Sequence, residues 1–287
     1  MKIQKSFAGK AKSVDEAPDP FGHSLQENIE PEEVVSLLVY SPVFKSAGRR
    51  FDATVLAITN ERWLMLAEEE DGHVAVRSAS FEDTLLLELT EILLFGQMKI
   101  DFASNGKSTS SVLQFNLVDE EMYREAAHLI LDAVEGSTPL ANDESFRSAV
   151  QYVSDWPLKF RHGVVKFMPK GRQFLFAAHW PALIGGFRRE LAPAAALVLT
   201  EREVILISED NAPGWFQRRK APKYGYIVTY FPRVRMAQHH ISRQAKFALL
   251  ELETHTTHGS EALQIMLPLQ HESEVADCMH NASAVAV

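Results

Sequence analysis

LAITNERWLMLAE is the sequence of residues 56–68, and LVLTEREVILISE is the sequence of residues 197–209. The two segments align without gaps at an offset of 141 residues, which places Thr59 on Thr200. In each segment a short polar turn separates two stretches rich in Leu, Ile and Val, a composition typical of β-strands. The sequence therefore predicts two β-hairpins of the same design, one in each half of the chain.

Shorter matches flank the two hairpins and occur in the same order in both halves. Upstream, residues 38–42 (LVYSP) align with residues 177–181 (AAHWP) at an offset of 139. Downstream, residues 113–117 (LQFNL) align with residues 263–267 (LQIML) at an offset of 150. Any single block can match by chance, but three blocks in one order indicate an internal repeat. The sequence thus predicts two copies of one domain that differ by loop-sized insertions.

Each copy is predicted to consist of short strands followed by one closing helix. In the first copy, apolar residues recur at helical spacing after Asp119, and Gly136 suits the end of a helix. The second closing helix is predicted over residues 271–282. Between the copies, the sequence predicts one helix that begins at Asp143 and another over residues 159–168.

The hairpin strands also predict core residues. Apolar side chains that alternate along a strand lie on one of its faces. Eight side chains are predicted to point into the two cores: Leu56, Ile58, Leu64, Leu66, Leu197, Leu199, Ile205 and Ile207.

Composition restricts the class of protein. A chain of 287 residues fits two domains of roughly 100–200 residues each. The formal net charge of −9 argues against nucleic acid as a partner, and the single cysteine, Cys278, allows no intramolecular disulfide. No apolar run is long enough for a secretory signal or a membrane helix, so we expect a cytoplasmic chain without a transmembrane segment.

The predicted organisation has four parts. Residues 1–20 contain few large apolar side chains and are expected to form a disordered tail. Residues 21–136 form the first domain, residues 137–167 a helical linker, and residues 168–287 the second domain.

The order of short strands and one amphipathic helix, with a hairpin of the general form Leu-x-Leu-Thr-x-x-x-x-Leu-x-Leu, resembles the bacterial pleckstrin-homology-like (PH-like) domains. The resemblance covers residues 30–135 and 168–285. It implies a mainly β fold with α, in which two tandem, partly open β-barrels are each capped by a C-terminal helix. It also implies association with membranes or protein partners, because in related eukaryotic domains basic residues between the first two strands bind phosphorylated lipid headgroups.

Basic residues occur in the predicted loop between the first two strands of each copy. They are Lys45, Arg49 and Arg50 in the first copy, and Arg188 and Arg189 in the second. Guanidinium groups suit phosphate and carboxylate ligands. The alternative is that these are solvated loop charges that keep a strand edge from pairing. The anion-binding interpretation predicts that the arginines are exposed and have no acidic partner.

A second basic stretch lies within residues 211–224, which are predicted to form a long exposed loop. Its aromatic pair could anchor a partner or a membrane surface, or it could fold back over the barrel. The candidate contact residues are Trp215, Phe216, Arg218, Arg219 and Lys220.

No catalytic or cofactor motif is recognisable. The sequence lacks Gly-x-Ser-x-Gly, a phosphate-binding glycine-rich loop and His-Glu-x-x-His. His255 and His258 lack the further ligands that a zinc site needs, and Cys278 is predicted to be a buried apolar side chain. We therefore predict a non-enzymatic binding or scaffold protein without metal or cofactor.

Three functional hypotheses follow from the sequence. In the first, the two PH-like modules recognise a protein partner or an anionic surface, and the chain is able to form a homo-oligomer. In the second, the chain is a peripheral protein that binds lipid headgroups at the inner face of the membrane. In the third, it is a hydrolase with an unfamiliar site.

Overall fold

The computed structural model describes residues 3–46, 48–69, 72–136, 143–186, 189–209 and 225–283. These residues form a mainly β structure with nineteen strands and five α-helices, which confirms the predicted mainly β class with α. The helices are α1 (Phe21–Asn28), α2 (Glu120–Glu135), α3 (Asp143–Tyr152), α4 (Leu158–Phe167) and α5 (Glu272–Ser283). The strands are β1 (Gly9–Ala11), β2 (Val35–Ser41), β3 (Phe44–Ser46), β4 (Arg49–Phe51), β5 (Thr54–Thr59), β6 (Arg62–Glu68), β7 (Val74–Ser80), β8 (Thr84–Ile92), β9 (Phe95–Ser104), β10 (Lys107–Asn116), β11 (Phe174–Trp180), β12 (Leu183–Ile184), β13 (Glu190–Ala192), β14 (Ala195–Thr200), β15 (Glu203–Glu209), β16 (Tyr226–Pro232), β17 (Met236–Arg243), β18 (Ala248–Thr256) and β19 (Gly259–Leu267).

The strands form three larger antiparallel sheets and two small hairpins. The first sheet has the order β1-β2-β5-β6-β7, the second has the order β10-β9-β8-β16-β15-β14-β11, and the third has the order β17-β18-β19. The hairpins are β3-β4 and β12-β13. Among the described residues, none of these sheets closes on itself into a barrel.

The same succession of elements occurs twice along the chain. In the first half, four strands (β2, β5, β6, β7) are followed by three (β8, β9, β10) and by α2. In the second half, β11, β14, β15 and β16 are followed by β17, β18, β19 and α5. The two halves join edge to edge where β8 pairs with β16, and this pairing produces the seven-stranded sheet.

The two predicted hairpins share the same turn chemistry. Thr59 Oγ1 accepts hydrogen bonds from the backbone N–H groups two and three positions later, at 3.1 and 3.0 Å. Thr200 Oγ1 does the same at 3.1 and 2.8 Å. A threonine hydroxyl that satisfies these donors stabilises a tight turn. Thr59 and Thr200, which the sequence alignment pairs, therefore accept the same two hydrogen bonds.

In each half, an ion pair connects the hairpin to the segment before the first strand. The positions of the cation and of the carboxylate are reversed between the two halves. In the first half, Arg62 Nε lies 2.8 Å from Glu33 Oε1. In the second half, Arg172 Nε lies 2.7 Å from Glu203 Oε1, so the cation and the carboxylate have swapped places. Arg172 Nη2 also donates to Asp132 Oδ1 of α2 at 2.6 Å, which connects the two halves.

The expectation that residues 1–20 are disordered is wrong for residues 3–20. Strand β1 pairs with β2, with Lys10 opposite Val39, and Ala17 is buried. Helix α1 then covers the outer face of the first sheet with Phe21 and Leu25. Residues 3–20 contain few large apolar side chains, but Ile3 and Val14 pack against the apolar cluster that contains α1.

Helix α4, which the sequence assigns to the linker, occupies the place in the second half that α1 has in the first. Phe160 and Val164 follow Phe21 and Leu25 at the offset of 139 that also relates β11 to β2, and all four are buried. Gly163 lets α4 approach β15, because an added Cβ would lie 3.3 Å from Ile207. The structural repeat therefore begins one helix earlier than the sequence predicts.

All eight predicted core residues are buried, but they do not all point into the domain cores. Leu56 and Ile58 pack in the central cluster with α2, whereas Leu64 and Leu66 pack in the cluster that contains α1. The reason is the register, since Leu64 is opposite Ala57 and therefore shares its face. In the second half, the corresponding residues of β15 likewise point away from their own core, toward α4.

Helix α2 ends as predicted but begins differently. Gly136 adopts a φ of +68°, a conformation that glycine accepts readily at the end of a helix. Asp119 precedes the helix but makes no side-chain capping hydrogen bond. Instead, Asn116 Oδ1 accepts from the backbone N–H of Val118 and caps a short 3-10 turn that leads into α2.

Gly96 of β9 offers a test of the packing beneath α2. A Cβ at this position would lie 2.2 Å from the ring of Phe115, which stacks on Tyr123 of α2 with centroids 3.8 Å apart. We expect Gly96→Ala to lower the free energy of unfolding by about 1–3 kcal/mol, because the ring must leave a well-packed core position. Gly186→Ala is the control, since nothing lies within 4 Å of its Cβ position. Equal stability of the two variants in urea denaturation would contradict this packing.

Candidate functional site

The predicted basic loop of the first half is the β3-β4 hairpin between β2 and β5. Lys45 on β3 is opposite Arg50 on β4, and Ser46 is opposite Arg49. Gly48 at the turn has a φ of +80°, which favours glycine. The side chains of Lys45, Arg49 and Arg50 are all exposed. The hairpin thus presents three cationic groups to solvent over a short distance.

Aromatic side chains hold this hairpin in place. Phe44 and Phe51 face each other across the hairpin and stack with ring centroids 4.9 Å apart. Phe51 also contacts Phe95 at the start of β9, with centroids 5.3 Å apart. Rings at these distances contribute favourable contacts beyond the area that they bury. The basic hairpin is therefore anchored beside the β8-β9 turn.

One arginine of this hairpin already has an acidic neighbour. Arg50 Nε lies 3.6 Å from Asp52 Oδ1, and the arginine side chain is 65% exposed. The prediction that these arginines lack acidic partners is therefore wrong for Arg50, because residues two apart on an extended strand share one side of it. An exposed pair at this distance contributes little to stability and exchanges readily with another anion.

The predicted basic loop of the second half is the β12-β13 hairpin, which occupies the corresponding place between β11 and β14. Arg189 is exposed, and its carbonyl accepts a hydrogen bond from the Gly185 N–H at 2.7 Å. Arg188 and Arg189 follow Arg49 and Arg50 at the offset of 139. Arg188 itself lies outside the described residues. The structure thus places Arg50 and Arg189 in equivalent hairpins.

The second basic stretch cannot be assessed in the same way. Its five candidate residues all lie outside the described part of the chain: Trp215, Phe216, Arg218, Arg219 and Lys220. Their contact with a partner or a membrane stays a prediction.

An exposed apolar group that the sequence does not predict lies at the β8-β9 turn. Leu93 and Leu94 form this turn and are 61% and 63% exposed, and Leu93 has a φ of 54°. Val118 is also exposed and follows Leu117, whose N–H donates to the Leu94 carbonyl at 3.0 Å. We call Leu93, Leu94 and Val118 the apolar tip. It adjoins the basic hairpin through Phe95, the residue next to Leu94.

A cleft of about 470 Å³ lies between α2 and α4 and has charges of both signs. Lys166 is paired with Glu91 and Glu120, at 2.6 Å in each case. Burial, and after it the nearby cation of Arg124, lower the pKa of His128 to about 4. His128 is therefore neutral at pH 7, and the cleft holds a mixture of basic and acidic side chains.

Cys278 and His258 are candidate reactive groups in the sequence, and the structure shows the surroundings of both. Burial raises the pKa of the Cys278 thiol to about 11, which makes it a poor nucleophile at neutral pH. His258 Nδ1 lies 2.6 Å from Asp83 Oδ1 and links the two halves. Within the described residues, no three His, Cys, Asp or Glu side chains cluster in a way that could hold a metal ion.

No protein-family model matches the chain, and no curated protein resembles it significantly. Within the described ranges, no helix combines the length and the apolarity needed to cross a membrane.

Proposed function

We propose that the chain is a non-enzymatic binding protein built from two PH-like modules. The support is the twofold occurrence of four strands, three strands and a closing helix, with a basic hairpin between the first and second strands of each half. This is the position that the resemblance to PH-like domains assigns to ligand binding. The recognition surface of the first module consists of the basic hairpin (Lys45, Arg49, Arg50) and the apolar tip.

The observation that carries the proposal is the contact between Phe51 and Phe95, which sets cationic side chains beside exposed leucines. An anionic membrane offers both complements, negative headgroups and an apolar layer beneath them. Each Lys or Arg close to such a surface contributes roughly 1 kcal/mol, and burial of a leucine contributes about 1.5–3 kcal/mol. The chain as a whole has a formal net charge of −9, so attraction to an anionic membrane requires a local basic surface such as this hairpin.

A protein partner with an acidic rim and an apolar centre would fit the same surface, and this is the second candidate function. Interfaces commonly combine an apolar core with a charged rim. The two candidates differ in what salt and lipid composition do to binding. A membrane ligand requires anionic lipid, whereas a protein partner does not.

Vesicle sedimentation tests the membrane proposal. The full chain is mixed with phosphatidylcholine vesicles that do or do not contain phosphatidylserine, at about 0.05 and 0.5 M salt. We expect binding only with phosphatidylserine, weakened at high salt. Arg49→Glu with Arg50→Glu should reduce binding by at least about tenfold, because four units of charge change at the surface. Leu93→Ser with Leu94→Ser should reduce binding by a similar factor through loss of apolar burial.

A matched control makes the same change of charge elsewhere. Arg147→Glu with Lys246→Glu alters two exposed basic residues, one on α3 and one in the β17-β18 turn, and should leave vesicle binding within about twofold. If the wild-type chain does not sediment with anionic vesicles, or if the Arg49 and Arg50 variant binds as well as the wild type, the membrane proposal is wrong. The protein-partner candidate would then take its place.

A further inference from the structure

The junction between the two halves is a defined strand pairing. The fifth strand of the first repeat, β8, pairs antiparallel with the fourth strand of the second repeat, β16. Leu89 is opposite Val228 in the middle of this pairing. Helix α2 packs against both strands, so that the pairing is covered on one side by an apolar helix face.

Two edge strands of the molecule each correspond to one half of this junction. The fourth strand of the first repeat is β7, and it is the last strand of its sheet. The fifth strand of the second repeat is β17, and it is likewise the last strand of its sheet. Among the described residues, no strand pairs with the outer edge of β7 or with the outer edge of β17. On that side, no described strand pairs with their backbone N–H and C=O groups, and such an edge is able to pair with a strand of another chain.

We infer that a second copy of this chain docks here, with its β7 paired to β17 in the way that β16 pairs with β8. The contact is head-to-tail, because it uses a different edge on each molecule. It leaves β7 of one molecule and β17 of the other open, so that further copies add until a ring closes or a filament grows.

The repeat also gives the register of this contact. Val76 of the first repeat corresponds to Val228 of the second. Val76 is opposite Leu66, and Val228 is opposite Ile207, which is the equivalent of Leu66. His239 corresponds to Leu89. Leu113 is opposite Met98, which is opposite Leu89. Leu263, the equivalent of Leu113, is opposite Leu252, which is opposite His239. Val76 is therefore expected opposite His239, and Ala75 opposite His240.

The composition of the two edges permits this pairing. Neither β7 (VAVRSAS) nor β17 (MAQHHISR) contains proline or lysine, the residues that most often keep an edge strand from pairing. The stretch of β7 that would pair is small and apolar at residues 74–76. The register shift in β17 lies at its start, between Met236 and Gln238, and leaves the rest of the strand regular.

Disulfide trapping and sedimentation velocity together test the inference. In a Cys278→Ser background, Ala75→Cys with His240→Cys should give a ladder of linked chains on a non-reducing gel after mild oxidation, because opposite residues meet the geometry of a disulfide. The control is Ala75→Cys with Gln264→Cys, since Gln264 is exposed on β19 at the other edge of the same sheet. This pair should give no ladder.

Sedimentation velocity of the unmodified chain should show a mean mass that rises above 32.2 kDa with concentration. A single species of 32.2 kDa up to about 0.1 mM, a concentration at which even weak interfaces assemble, would overturn the inference. Ladders of equal yield from both cysteine pairs would overturn the register. Association without a ladder from Ala75→Cys with His240→Cys would place the interface elsewhere. None of these readouts depends on vesicle binding, so failure here leaves the proposed function unaffected.

Discussion

Replacing Arg172 with methionine is expected to lower the free energy of unfolding by about 3–5 kcal/mol. The Arg172 side chain is fully buried, and its Nε donates to both carboxylate oxygens of Glu203 at 2.7 and 3.0 Å. Its Nη2 donates to Asp132 at 2.6 Å. Methionine fills much of the space but leaves two carboxylates without their cation, and that of Glu203 is fully buried. An unpaired buried charge is among the most destabilising changes known.

The loss should depend on pH in a definite direction. Burial raises the pKa of Glu203 to about 7, although the cation of Arg172 and the hydroxyl of Thr200 lower it. A carboxyl whose pKa is raised in the folded state contributes stability that is full below the unfolded pKa of 4.5 and is lost as pH rises through the folded pKa. Without Arg172 the pKa rises further, so Arg172→Met should be less destabilising at about pH 5 than at about pH 8.

The first half provides the matched control for this experiment. Arg62→Met removes the equivalent cation, but this pair is less buried, because the side chains of Arg62 and Glu33 are 27% and 7% exposed whereas those of Arg172 and Glu203 are both fully buried. Its effect should therefore be nearer to about 1 kcal/mol. Urea denaturation at both pH values measures the two variants side by side. If Arg172→Met is no more destabilising than Arg62→Met, the buried network does not have the role assigned to it.

The parts of the fold that the sequence predicts are those that depend on short-range chemistry. The hairpins are recognisable because Thr59 and Thr200 each satisfy the turn with a single hydroxyl, and the flanking residues are clearly apolar. The turn at Leu93 and Leu94 is not recognisable, because it lies within residues 85–95 (LLLELTEILLF), where the apolar residues continue through the turn. In a run of that composition no change of polarity marks where the chain reverses.

Other features depend on contacts that a single alignment does not reveal. The sequence alignment does not reveal the exchanged ion pair. Glu33 and Arg172 occupy equivalent positions but have opposite charges, so an alignment by residue type counts them as a mismatch. The basic hairpins are predictable from their arginines, whereas their position beside the apolar tip depends on the packing of Phe51 on Phe95. Tertiary contacts of this kind bring together residues that are far apart in the sequence.

Phe21→Ala and Phe160→Ala are each expected to lower the free energy of unfolding by about 3–5 kcal/mol, the usual result of removing a buried phenyl group. The two rings lie at equivalent positions on α1 and α4 and are 1% and 3% exposed. Each covers the outer face of a sheet, so that truncation opens a cavity and loosens the helix. Similar effects at both positions would support the assignment of one helix to the start of each repeat.

Phe7→Ala is the control for the N-terminal segment, because Phe7 is 67% exposed and its loss should change stability by less than about 0.5 kcal/mol. Unfolding is followed by urea denaturation for all three variants. If Phe21→Ala is as mild as Phe7→Ala, the packing of α1 on the first sheet does not have the role assigned to it. If Phe21→Ala is severe, α1 belongs to the folded unit, because a contact can only stabilise the protein by this amount when both of its partners are ordered.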